Sequence, residues 1–177
     1  SLLVYKYIQS NEYEIRPYFN NSFLKCISGL PGGRSLSLFE TFIKNLLRQF
    51  SFNDSKSDIL SILDEVCVNS ITDTNISCNP HFFDSNVDSN TGFINITNSN
   101  FNINELYYSL IKACAHEYYS SLIKLTTPTN KNKNYKVLLS GGVGNKSKLM
   151  NQILMNIFGI EVILSKYNEE AAVGAAM

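Results

Sequence analysis

Leu138-Leu139-Ser140-Gly141-Gly142-Val143-Gly144-Asn145, continuing as Lys146-Ser147-Lys148-Leu149-Met150-Asn151-Gln152, is the stretch that decides how this chain is read. An apolar run stops at a glycine turn, and a helical pattern starts at once. Strand, glycine turn and helix start in that order form a common phosphate cradle. Glycines let backbone approach a ligand, and the first N–H groups of the helix face it. The helix dipole adds about half a positive charge at that point. A tight turn with no ligand has the same sequence, so the rest of the chain must decide between the two.

Two nucleotide motifs can be tested on this stretch directly. The P-loop pattern GxxxxGK[ST] is met by Lys146-Ser147, but Ser140 and Asn145 stand where its two glycines belong. A dinucleotide fold fares no better, since there is no GxGxxG and no acidic residue ending a second strand.

Outward from the turn, the chain continues as a helix with paired apolar rows: Leu149/Met150, Ile153/Leu154 and Ile157/Phe158. Gly159 is placed to end it. Residues 160–164 read as a buried strand. A last helix opens at Glu169-Glu170 and is small-residue throughout, Ala171 to Ala176. That helix is read either as close backbone packing against a neighbour or, more specifically, as a wall of a nucleotide site. This β-turn-α-β-α ending reads as an α/β lobe with a covered sheet.

Upstream of the turn, residues 2–8, 13–16 and 23–27 are β-like, separated by Ser-Asn-Glu and Asn-Asn turns. Pro31-Gly32-Gly33 breaks the chain. Ser37 and Glu40 have capping-box spacing, and Leu36, Phe39, Phe42, Ile43, Leu46, Leu47 and Phe50 follow with helical period. A second helix is expected over residues 57–67, with Ile59, Leu60, Ile62, Leu63 and Val66 on its apolar side. Residues 68–104 are dense in Asn, Ser, Asp and Thr, interrupted by a strand-like run at 92–97; no function is assigned to that richness. Asn102 and Glu105 are spaced to cap a long helix reaching about residue 122. Both ends of the chain read as cut, with Met177 inside an apparent helix, which suggests a piece of a longer protein.

Composition removes several classes. A chain of 177 residues fits one domain or one lobe and buries about 70% of its unfolded surface. Fifteen basic and fifteen acidic residues give zero net charge, so neither nucleic acid nor a membrane surface is the expected partner. No apolar run reaches the ~20 residues a bilayer requires. Cys26, Cys67, Cys78 and Cys114 show no CxxC spacing and read as buried free thiols, which points to the cytoplasm.

No other enzyme pattern stands out. His81 and His116 have no Cys or Glu at metal spacing and read as core or surface histidines. A Gly-x-Ser-x-Gly elbow is absent. Asp73, Asp84 and Asp88 lie in polar stretches and read as solvated carboxylates.

Taken together, residues 138–176 resemble the C-terminal domain of the FGGY carbohydrate kinases. The features are an apolar strand, Gly141-Gly142, Asn145, Gln152 on the following helix, and Glu169-Glu170 before Ala172-Val173-Gly174-Ala175-Ala176. Upstream, the run from Arg16 through Leu24, then Gly32-Gly33 and the helix with Phe39 and Phe42, resembles the sedoheptulokinase branch. Asn79-Pro80-His81-Phe82-Phe83 occupies the place of the family's Pro-x-x-x-Gly-Glu-Arg loop. Two departures stand out: Asp84-Ser85-Asn86 replace Gly-Glu-Arg, and Glu117 replaces a glycine in the long helix.

The resemblance implies an actin-like (ribonuclease-H-like) ATPase lobe, a mixed sheet flanked by helices, with residues 1–177 forming the C-terminal nucleotide-binding lobe. It implies ATP and Mg²⁺ as cofactors and phosphoryl transfer to a ketose hydroxyl, sedoheptulose to sedoheptulose 7-phosphate. The catalytic aspartate, the Thr-Gly-Thr phosphate loop and the sugar-binding first lobe are then upstream of residue 1, so no catalytic residue is assigned in this chain and the fragment alone is expected to be inactive. On this view Gly141, Gly142 and Asn145 border the adenosine, with Asn145 offering its amide or capping the helix, and Gly32 and Gly33 border the nucleotide as well. Kinases of xylulose, ribulose or glycerol are the near alternative. A non-catalytic actin-like scaffold is the alternative of another class.

Overall fold

A computed structural model of the chain describes residues 2–4, 11–52, 58–82, 90–126, 137–139, 147–159 and 161–164. The N-terminal strands β1 (Leu2–Val4), β2 (Glu14–Tyr18) and β3 (Ser22–Cys26) form an antiparallel sheet in the order β1-β3-β2. Asn20 and Asn21 make the β2–β3 turn with φ of 54° and 55°, which asparagine tolerates better than most residues. The edge position of β2 allows Pro17 in its interior, opposite Phe23.

Helix α1 (Gly33–Gln49) begins four residues before the expected capping box. Its N-cap is Gly32, with no side-chain cap, so Ser37 lies inside the helix, where its carbonyl accepts from the Thr41 hydroxyl. Glu40 pairs instead with Lys44 one turn on. Leu36 and Phe39 are buried and Ile43 and Leu47 pack beside them, whereas Phe42, Leu46 and Phe50 are exposed. Helix α2 (Ile59–Ser70) is capped by Asp58, whose side chain accepts from the Ser61 N–H at 3.2 Å. Its buried face is Ile59, Leu63, Asp64 and Cys67; Ile62 and Val66, expected on the apolar side, face outward.

The strand β4 (Ser77–Asn79), not anticipated in the polar stretch, pairs antiparallel with β5 (Gly92–Ile94). Part of the local asparagine content is turn chemistry. The Asn100 carboxamide accepts from the Thr97 N–H at 2.7 Å and donates to the Asn95 carbonyl, and Asn95 itself has φ of 63°.

Helix α3 (Ile103–Thr126) is capped as expected, the Asn102 side chain accepting from the Glu105 N–H at 3.0 Å. It runs four residues beyond the expected end. The strand β6 (Val137–Leu139) leads toward α4 (Lys148–Phe158) and pairs parallel with β7 (Val162–Leu164). Gly159 ends α4 in the left-handed region, at φ 58°. The small-residue helix expected after residue 168 lies outside the described residues.

Leu110, Ile111 and Cys114 of α3 are fully buried and form the centre of the core. Leu36 and Phe39 of α1, Leu63 and Cys67 of α2, and Leu149, Met150 and Leu154 of α4 close around them, and Leu139 and Val162 bring the β6–β7 pair onto the same cluster. The chain is thus mixed α/β, with three small sheets among the described residues in place of one mixed sheet. The described strands are three to five residues long, and most of the buried apolar residues lie on the helices.

Burial also sets the behaviour of the thiols. It pushes Cys67 up to about 11 and Cys78 and Cys114 up to about 12. At pH 8, iodoacetamide is therefore expected to label these three at least a hundredfold more slowly in the folded than in the denatured chain, roughly in proportion to thiolate content. Mass spectrometry of quenched samples reads this out. The unfolded chain releases these protons from about pH 8.5 and the folded chain holds them, so stability is full below that pH and falls as pH rises toward 11 and beyond.

Candidate functional site

The decisive helix start can be built from its own residues. Ser147 has extended backbone and is the N-cap of α4; its Oγ accepts from the Met150 N–H at 3.0 Å. The same hydroxyl donates to Asp64 Oδ1 of α2 at 2.6 Å. Asp64 Oδ2 accepts from the Leu149 N–H at 2.9 Å, and Oδ1 also accepts from the Tyr107 hydroxyl of α3 at 3.0 Å. One carboxyl group, 4% exposed, therefore takes three hydrogen bonds from two other helices. It sits where the α4 dipole favours negative charge. Burial, then the Asp64 charge, holds the Tyr107 hydroxyl far above the usual tyrosine range.

This arrangement corrects one expectation. Ser147, not Asn145, caps α4. Gly141, Gly142 and Asn145 lie outside the described residues. The helix start that follows them is described, and its Leu149 and Met150 N–H groups are occupied by Asp64 and Ser147. Those two N–H groups are therefore not free to receive a phosphate while these bonds stand. Among the described residues no group of three or more His, Cys, Asp and Glu is arranged to hold a metal, and Asp64 already accepts three hydrogen bonds.

Gly32 and Gly33 are at the other end of the same scaffold. Gly32 is buried and its carbonyl accepts the first α1 bond, from the Leu36 N–H at 3.0 Å. A Cβ on Gly32 would stand 2.3 Å from the Tyr118 hydroxyl, so close packing against α3 accounts for this glycine. Gly33 is exposed. The Ser35 hydroxyl ties the same turn to the Pro80 carbonyl at 2.6 Å. Tyr107 and Tyr118 are eleven residues apart on α3, about 16 Å of helix rise. The glycine pair and the start of α4 are thus attached to α3 three turns apart.

His81 and His116 come together on one cleft of about 470 Å³ between β4 and the face of α3 that carries Ser109, Lys112, Ala113, His116 and Glu117. His81 Nε2 is 3.7 Å from Glu117 Oε1. The departure from glycine at position 117 thus puts a carboxylate opposite the residue that follows Pro80. Lys112 pairs with Asp73 at 2.5 Å, and its hydrogen bond is the main cause holding the Asp73 carboxyl below its ordinary value. A depressed carboxyl stabilises the fold above its unfolded pKa of about 3.9, and that contribution is lost as pH falls below it. Since Asp73 is exposed, Lys112→Met is expected to cost at most about 1 kcal/mol at pH 7. The difference from the parent should shrink in urea titrations as the pH is lowered from 7 to below about 3.9.

The sequence matches the FGGY family of carbohydrate kinases, C-terminal domain, over residues 81–177, more than half of the chain. The chain belongs to this family. No curated protein and no solved structure matches it. The FGGY match includes β6, the glycine turn and α4, together with Tyr107, Ser147 and Leu149. Asp64 precedes it and belongs to none of the motifs in the sequence. Its signal was available as an acidic residue in the i, i+4 row Leu60-Asp64-Val68, whose other two members pack on the core. Among the described residues, no helix of this FGGY domain is long and apolar enough to cross a membrane.

Proposed function

We propose that this chain is the nucleotide-binding lobe of an ATP-dependent sugar kinase with an actin-like fold. The observation that carries the reading is the family match across residues 81–177, which contains β6, then the Gly141-Gly142 pair in sequence, then α4. On this reading Gly141, Gly142 and Asn145 border the adenosine, and Gly32 and Gly33 border the nucleotide as well. ATP with Mg²⁺ supplies the phosphoryl group, and transfer relies on positioning and charge stabilisation more than on covalent chemistry by protein groups. The occupied start of α4 agrees with a division in which this lobe holds adenosine, while phosphates and Mg²⁺ belong to a first lobe that carries the catalytic aspartate.

A seven-carbon ketose, sedoheptulose, is the proposed acceptor, on the likeness of residues 16–24 and 32–42 to that branch. Xylulose, ribulose and glycerol are the competing acceptors, and cytoplasm the proposed compartment. A panel of these four compounds, assayed with the two-lobe protein and MgATP, tests the assignment. Sedoheptulose with the highest kcat/KM supports it, and any other order overturns the acceptor. Residues 1–177 alone should phosphorylate none of them. Mg-ADP titration followed by amide shifts tests the nucleotide site: Gly141, Gly142 and Asn145 should move in the two-lobe protein, and their standing still while ADP binds would refute their assignment. If ADP binds to the two-lobe protein but none of the four acceptors is phosphorylated, a non-catalytic actin-like nucleotide-binding scaffold becomes the better reading.

A further inference from the structure

The cleft between β4 and α3 takes no part in the nucleotide reading above. Its volume of about 470 Å³ lies inside the roughly 300–1,000 Å³ range of small-molecule sites. One wall is a single face of α3, where Ser109, Lys112, Ala113, His116 and Glu117 recur at the helical spacings i, i+3, i+4, i+7 and i+8. The other wall is held by bonds of its own. The Asn79 carboxamide accepts from the His81 N–H at 3.3 Å and donates to the Asn90 carbonyl at 3.0 Å, and the Thr74 hydroxyl accepts from the Ile76 N–H at 3.1 Å. A wall already ordered loses little further freedom when something binds.

What the cleft can hold follows from the bonding capacity left over. Lys112 gives one of its three N–H donors to Asp73. The Ser77 hydroxyl accepts from Asn95 and keeps its own proton to give. Ser109 spends its proton on the Leu106 carbonyl, so its oxygen is left as an acceptor. Glu117, opposite His81 at 3.7 Å, accepts as a carboxylate. Donors and acceptors are thus offered together. The one fixed positive charge among the described lining residues, Lys112, is matched by Asp73 and accompanied by Glu117. An anion calls for donors alone and a cation for acceptors alone, whereas a hydroxyl group both gives and accepts. Ile76, Pro80 and Ala113 add apolar surface for the carbon-bound hydrogens between hydroxyls.

We propose that this cleft is a binding site for an uncharged sugar or polyol, with Lys112 and Ser77 as donors and Glu117 and Ser109 as acceptors. The assignment stands on the cleft's own groups and not on the nucleotide-lobe reading.

The test is an NMR titration of residues 1–177 at pH 8 with sedoheptulose, and with sedoheptulose 7-phosphate as its charged counterpart. The chain has two histidines, and both line this cleft, so their ring C–H signals report on this place; His116→Gln tells the two apart. Both signals should move with sedoheptulose and saturate in the millimolar range, and the 7-phosphate should bind at least fivefold more weakly. Lys112→Met, whose stability cost is small, should raise the sedoheptulose Kd at least threefold. Ala113→Leu, which fills the cleft, should abolish the shifts. Should residues 1–177 not fold alone, the same signals in the two-lobe protein, assigned with His81→Gln and His116→Gln, give the result. Ring signals that stay still up to decimolar sugar, tighter binding of the 7-phosphate, an unchanged Kd in Lys112→Met, or shifts retained in a folded Ala113→Leu each overturn the proposal. The nucleotide assignment is decided separately by the ADP titration, and the acceptor by the kinetic panel.

Discussion

Asp64→Ala is expected to lower the free energy of unfolding by about 3–5 kcal/mol, the largest effect of any single polar substitution in this chain. The loss does not come from a cavity, since the side chain is small. It comes from three donors left without an acceptor: the Tyr107 hydroxyl, the Ser147 hydroxyl and the Leu149 N–H. All three residues are buried, at 1%, 7% and 1% exposure, so water does not replace the lost partner cheaply. For a domain of this size the change corresponds to a drop in melting temperature of roughly 10 °C. Tyr107→Phe removes one of the three bonds and should cost about 1 kcal/mol. Guanidinium denaturation of the three proteins reads the series. Equal stability of parent and Asp64→Ala would mean that the hydrogen bonds at the start of α4 contribute nothing to the fold.

Gly32→Ala comes second, at about 1–3 kcal/mol. The new methyl would stand 2.3 Å from the Tyr118 hydroxyl oxygen and 3.6 Å from the ring carbon that bears it. The first distance is impossible and the second is an ordinary contact, so the conflict is with one oxygen atom. Burial pushes the Tyr118 phenol up to about 12, which marks a hydroxyl with limited access to solvent. Removing that oxygen supplies the decisive control. In a Tyr118→Phe background, Gly32→Ala should cost at least 1 kcal/mol less than in the parent, the remainder being the weaker capping ability of alanine. Additive effects across the cycle would show that Gly32 is needed for another reason.

Most helices were legible because apolar period and caps agreed: Asn102 with Glu105 marks the start of α3, and Gly159 the end of α4. The start of α1 was misread because a capping box is only spacing, and Ser37 and Glu40 found closer partners within the helix. Ile62 and Val66 show the limit of period counting. An apolar residue on a helix states a preference, whereas burial depends on which neighbour arrives, and α3 and α4 arrive on the side of Leu63 and Cys67. The order of apolar run, glycines and helix start was visible in the sequence because that signal is local, although Gly141 and Gly142 themselves lie outside the described residues. Asp64 was not, because its meaning depends on residues 43, 83 and 85 positions away.

The carboxyl of Asp64 also bears on where this protein can be cut. The family segment begins at residue 81, and a gene fragment trimmed to that point would look complete by sequence. It would still contain Tyr107, Ser147 and Leu149, while their shared acceptor stayed behind with α2. Tyr108 would lose the Thr72 carbonyl as well. Such a fragment should express as a loosely packed chain with weak near-ultraviolet circular dichroism, and one begun at Asp58, the α2 cap, should recover part of the signal, the rest requiring Leu36 and Phe39 of α1. Shared ancestry and physical integrity thus draw their borders at different residues.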